Sequence, residues 1–177
     1  MTFIPPYWYY TEKVVHPKPE IDYVIDVFKK KISVNQSKNI SSYSIKNYFP
    51  PEVIWSKRYL EIVENIVVQV GLRKSFKYRY ESWGQLYTKG LEHDYHNHNE
   101  FKEANEATIS FVHFIKNGNE PNFRFINLDT DQIHIPKQEE GDILIFPSYL
   151  FHKVIPNKSD KNRFVISGNI AIINPQK

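Results

Sequence analysis

The spacing of apolar and polar residues divides the chain into two unequal parts. Ile21, Val24, Ile25 and Phe28 recur at helical intervals, which predicts an amphipathic helix over residues 20–31, its Lys29, Lys30 and Lys31 forming a solvated end. Residues 32–49 are polar and read as a loop. Pro50 and Pro51 then open a second helix with Leu60, Val63, Val67 and Val70 on one face and Gly71 as its C-terminal cap. From Lys74 onward the period shortens to that of strands. Runs rich in Tyr, Phe, Ile and Val follow, among them ATISFVHFIK, DILIF and RFVISGNIAII, separated by Gly, Asn, Asp and Pro. Two helices followed by about eight strands predict a mainly β fold, a double-stranded β-helix (the jelly-roll or cupin-like barrel) buttressed by those helices. The opening FIPPYWYY and HPKPE read as an extended arm or short edge strand packed on the body. We therefore expect a single domain over 1–177, with 1–73 as arm and helical support and 74–177 as the barrel.

Composition narrows the chemistry. With 177 residues, 41% hydrophobic and 15% aromatic, the chain has the material for a packed core. It contains no cysteine, which excludes disulfide scaffolds, zinc ribbons and thiol nucleophiles, so any metal must be held by His, Asp or Glu. A formal charge of +3 is too small an excess to signal a nucleic-acid partner without a localised patch. No apolar run is long enough to span a membrane, and the first residues lack a charged start followed by an apolar stretch, so a soluble, cytoplasmic protein is expected.

The most informative stretch is YTKGLEHDYHNH, residues 87–98, where three of the seven histidines fall within six positions. In an extended segment, residues two apart share a face with roughly 7 Å of rise between them. Asp94, His96, His98 and Glu100 would then point one way, and His93 and Tyr95 the other. Two imidazoles so spaced can take adjacent positions on one metal ion, and neutral His suits Fe, Zn, Cu or Ni. The best third ligand is His152, in GDILIFPSYLFHKVIP, among apolar neighbours that would hold its ring. Arg163 heads the apolar run RFVISGNIAII. A charge among core strand residues is costly unless it meets an anion, so Arg163 reads as a carboxylate clamp. The isolated His16, His113 and His134 read as hydrogen-bonded structural residues, and Trp83, Phe146 and Phe151 as core or pocket wall.

Taken together, Tyr87-x-x-Gly90-x5-His96-x-His98 followed by His152-x10-Arg163 resembles the Fe(II)- and 2-oxoglutarate-dependent oxygenases, especially their prolyl-4-hydroxylase-like members. The phrases SFVHFI, GDILIFPSYLFHKV and RFVISGNI are similar to a branch of short oxygenases common in bacteria and their phages, and the resemblance covers about residues 80–172. It implies Fe(II) held by His96, His98 and His152. It also implies 2-oxoglutarate gripped at its outer carboxylate by Arg163, with Tyr87 donating a hydrogen bond to the same group and Asn169, six residues further along the strand, lining the pocket. The implied reaction consumes O2 and 2-oxoglutarate, releases succinate and CO2, and hydroxylates a substrate C–H bond.

One departure stands out: His98 occupies the usual carboxylate position. A frame pairing His98 with Glu100 would restore a carboxylate at the cost of the Tyr-x-x-Gly spacing, and Asp94 is a second reserve ligand. Two other readings remain open, a cupin-like three-His metalloprotein acting without 2-oxoglutarate and a non-catalytic barrel used as a binding module. The substrate is not readable, since an aromatic entrance suits peptides, small molecules and nucleobases alike.

Overall fold

The computed structural model describes residues 2–4, 7–23, 25–26, 61–62, 64–65, 77–98, 106–118 and 120–173. Ten strands make up its ordered framework: β1 (Thr2–Ile4), β2 (Tyr7–Lys13), β3 (Lys77–Tyr87), β4 (His93–His96), β5 (Glu106–Lys116), β6 (Phe123–Ile126), β7 (Ile133–His134), β8 (Asp142–Pro147), β9 (His152–Val154) and β10 (Arg163–Ile173). They form a major sheet in the order β1-β2-β8-β5-β10-β3 and a minor sheet in the order β4-β9-β6-β7, with every pairing antiparallel.

The two sheets face each other across one aromatic core. Phe123 and Phe125 of β6 meet Phe146 of β8 at ring-centroid distances of 5.6 and 5.1 Å. Tyr87, Val112, Phe114, Leu144 and Val165 complete that layer from the major sheet. This facing of two antiparallel sheets is the jelly-roll arrangement expected from the strand pattern. The unbroken apolar run DILIF has a simple cause, because β8 lies inside the major sheet and is buried at every position. Ile143 and Ile145, pointing away from the core layer, are as inaccessible as Leu144 and Phe146. The outer face of the sheet is therefore covered too. Val14 and His16 contribute there, with the His113 ring bonded to the Val14 carbonyl at 3.0 Å and its centroid 5.2 Å from that of the tilted His16 ring.

The N-terminal arm does more than pack on the body: β2 pairs with β8 and so extends the major sheet. Residues 18–23 and 25–26 are helical, and Ile25 lines a second cavity together with Leu86 and Phe164. Residues 61–62 and 64–65 are helical with Ile62 buried. The remaining extent of both expected helices, the loop reading of 32–49, the starts at Pro50 and Pro51, the Gly71 cap and Glu100 lie outside the described residues. Among the described residues, no helix is long and apolar enough to cross a membrane.

Candidate active site

Strands β4 and β9 pair so that His96 lies directly opposite His152. Their ring centroids are 4.3 Å apart, and the His98 ring stands 5.1 Å from His96 and 5.2 Å from His152. One ring nitrogen from each of the three comes within 4.8 Å of the others. Backbone carbonyls orient two of these rings: His96 Nδ1 bonds to the Asp94 carbonyl at 2.7 Å and His152 Nδ1 to the Leu150 carbonyl at 2.8 Å. A carbonyl only accepts, so Nδ1 must carry the proton and Nε2 keeps its lone pair, the tautomer a metal ligand requires. The rings of Phe123 and Phe146, 5.2 and 5.0 Å from His152, fix it from the core side. Trp83 stands 5.7 Å from His98.

Burial pushes the His96 pKa below its ordinary value, against the opposing pull of the Asp94 carbonyl and carboxylate. Burial, followed by repulsion from His96 and His98, pushes His152 well below it. Both rings are therefore neutral at pH 7, the form able to ligate a metal. In the metal-free protein the same shifts make stability depend on pH. Unfolding restores the ordinary pKa near 6.5, so below that value the unfolded chain binds protons that the folded chain refuses. The melting temperature of metal-free protein is expected to fall as pH drops from 7.5 to 5.5, with a shallower fall in His152→Ala.

The alternation expected for 93–100 holds for His96 and His98 but fails for His93. The pairing slips between His93 and His96, Asp94 and Tyr95 of β4 opposing the single Lys153 of β9, because His93 faces Val154 while His96 faces His152. This bulge turns His93 to the inner side, where its ring stacks 3.9 Å from His96 and lines the same cavity. Burial, then the neighbouring His96, hold its pKa at about 4. Asp94 is exposed, its carboxylate accepting the Tyr95 amide at 2.8 Å, and it stands outside the imidazole group. Local sequence carries no sign of the bulge; the crowding of three histidines was the only hint that His93 belonged to the site.

The imidazoles open into a cavity of about 570 Å³, including its mouth, which Tyr87, Gln85 and Arg163 also line. Arg163 is only 3% exposed. Its guanidinium carbon sits 4.8 Å from the centre of the Tyr87 ring, and one terminal nitrogen donates to the Ile155 carbonyl at 3.2 Å. Nε is buried without a hydrogen-bond partner, and among the described residues no carboxylate pairs with the group. Burial lowers its pKa to about 10, so it remains a cation at neutral pH. A buried cation that lines a cavity and keeps an unused donor calls for an anion. Tyr87 is held neutral, its pKa raised by burial although Arg163 pulls it down, and its hydroxyl donates to Gln85 Oε1 at 3.0 Å. The Gln85 amide in turn meets His93 Nδ1 at 3.4 Å.

Two backbone features keep these groups in place. Gly90 adopts φ of 83°, ending the Tyr-x-x-Gly turn that leads from β3 to β4. Its amide donates to Asn157, whose buried side-chain amide binds the Tyr87 and Lys161 carbonyls, so one residue clasps the segments leading to the histidines and to Arg163. Gly118 has φ of 53°, and a Cβ added there would stand 3.0 Å from Arg163 Cγ. Gly118→Ala is expected to displace the guanidinium, raising KM for the bound anion several-fold and lowering the melting temperature, as paired kinetics and thermal melts would show. Neither Asn157 nor Gly118 carries a motif. Asn169 is buried but is not part of the cavity lining; its Oδ1 accepts from Ser110 at 2.8 Å. His134 bonds to the Tyr9 hydroxyl at 3.2 Å, away from the imidazole group.

A family model described as "Putative 2OG-Fe(II) oxygenase" matches residues 81–169, half of the chain, from β3 into β10. The chain belongs to the 2OG-Fe(II) oxygenase family. The cofactor and cosubstrate of that family are Fe(II) and 2-oxoglutarate. The donor set fits them, since three grouped imidazoles can hold a divalent ion and the buried Arg163 cation suits a carboxylate. No curated protein matches the sequence significantly. Several solved structures share the oxygenase fold at low identity. A Pseudomonas putida prolyl-4-hydroxylase is 15% identical with a TM-score of 0.61, over 97% of this chain and 95% of its own. A viral collagen prolyl hydroxylase from Paramecium Bursaria Chlorella virus-1, in complex with 2-oxoglutarate, is 14% identical with a TM-score of 0.63, over 93% and 96%. HygX from Streptomyces hygroscopicus, with nickel and 2-oxoglutarate bound, is 10% identical with a TM-score of 0.62, over 92% and 81%.

Proposed function

We propose that this oxygenase-family protein is an Fe(II)- and 2-oxoglutarate-dependent dioxygenase that hydroxylates a substrate C–H bond, with His96, His98 and His152 as metal ligands. The observation that carries the reading is the sharing of one cavity by three grouped imidazoles and a buried arginine with an unsatisfied donor. When bound, Fe(II) and 2-oxoglutarate would let the site use O2 as the oxidant, one oxygen atom entering succinate as 2-oxoglutarate loses CO2 and the other being inserted into the substrate C–H bond.

The protein's own contribution is to bind, orient and exclude water. Carbonyl-bonded His96 and His152 present Nε2 toward the metal position without reorganisation. Arg163 binds the outer carboxylate of 2-oxoglutarate with the Tyr87 ring against its guanidinium, and the Tyr87 hydroxyl would assist only by exchanging its bond to Gln85 for one to that carboxylate. The Phe114, Phe123 and Phe146 wall keeps the space between dry. For the substrate, the prolyl hydroxylases among similar folds make a prolyl or other peptide residue the first class to assay. A 2-oxoglutarate-independent three-His enzyme is the second reading, favoured by the lack of a carboxylate in the ligand group among the described residues. Incubating purified protein with 2-oxoglutarate should yield succinate only when Fe(II) is added; tight metal binding with no affinity for 2-oxoglutarate would favour the second reading instead.

A further inference from the structure

Ser110, Ser148 and Asn169 are 1%, 2% and 5% exposed, and none of them lines the cavity. They form a hydrogen-bonded chain: Ser110 Oγ donates to Asn169 Oδ1 at 2.8 Å and meets Ser148 Oγ at 2.8 Å. With the Ser110 proton committed to Asn169, Ser148 is left as the donor to Ser110. The chain leads to the site through the backbone, because the Ser148 carbonyl accepts the His98 amide at 2.8 Å.

His98 has particular need of such a hold. His96 and His152 sit on paired strands, whereas β4 ends at His96 and leaves His98 beyond the ladder. Its backbone partner Ser148 lies in the turn between β8 and β9, outside any ladder itself. Ser110 and Asn169 stand opposite each other on β5 and β10, both interior strands of the major sheet. The serine–serine bond therefore transfers the rigidity of that sheet to a turn, and from the turn to His98. Three buried polar groups are costly unless paired, and apolar side chains could pack the same space but could not locate the turn carbonyl.

We propose that Asn169, Ser110 and Ser148 are positioning residues for His98, an inference that rests on the reading of His98 as a metal ligand. On this view Asn169 acts through the histidine and does not touch the cosubstrate. The test is titration of metal-stripped protein with Co(II), read by its visible absorption bands and by binding affinity. Ser110→Ala and Ser148→Ala are each expected to weaken Co(II) binding by about 10-fold or more and to shift the bands. Ser110→Thr, which keeps the hydroxyl, should restore both, and adding Ser110→Ala to His98→Ala should weaken binding no further. Unchanged affinity and bands in folded Ser110→Ala or Ser148→Ala would overturn the proposal, as would equal weakening with and without His98. Co(II) binding that survives both His98→Ala and His152→Ala would instead overturn the metal assignment, and the proposal with it.

Discussion

Replacing His152 by alanine is expected to abolish iron-dependent succinate formation and to lower metal affinity beyond the roughly 10- to 100-fold that loss of an outer partner costs. The expectation follows from position. His152 is the one member of the group contributed by β9; it is 4% exposed, oriented by the Leu150 carbonyl and held by Phe123 and Phe146. Without it, His96 and His98 remain on a single short segment and offer a metal only two ligands. The hole left by the ring lies against aromatic neighbours, so thermal melts should accompany the assay to show that the variant remains folded. A folded His152→Ala protein that turned over 2-oxoglutarate at the wild-type rate would refute the assignment.

Arg163→Leu should separate cosubstrate binding from metal binding. Charge-assisted hydrogen bonds contribute about 1.5–3 kcal/mol, so KM for 2-oxoglutarate should rise about 10- to 100-fold. Metal affinity measured without 2-oxoglutarate should stay the same, because Arg163 contacts Tyr87 and the Ile155 carbonyl and none of the imidazoles. Leucine also removes a buried cation that carries an unsatisfied donor, so the variant should be at least as stable as the parent in the absence of ligand. Loss of metal together with cosubstrate would show that Arg163 supports the histidines and is not an anion clamp.

The parts of the site that could be read in advance share a physical character. His152 and Arg163 are polar residues beside apolar strand runs, where burial is costly without a function, His96 and His98 stood out by their crowding, and the spacing of all four resembled a family pattern. Gln85, Asn157 and Gly118 could not be found that way. Gln85 is an ordinary strand residue until Tyr87 and His93 are seen on either side of it. Asn157 resembles any loop asparagine until its amide is seen joining two distant carbonyls. Gly118 matters only because Arg163 passes within contact distance of the place a side chain would fill. His93 was assigned to the wrong face because strict alternation cannot anticipate a bulge.

Alternating and continuous apolar runs were enough to determine a mainly β fold, because side-chain burial is set by period and hydrophobicity, both local properties. The lack of cysteine and the clustering of imidazoles were likewise enough to determine which atoms could hold a metal. Only the tertiary structure decided that β2 would join β8, that one slipped pairing would turn His93 inward, and that a chain of buried hydroxyls would end at the His98 amide. Each of these depends on contacts between residues far apart along the chain, whose geometry emerges only when the two sheets close around a common core.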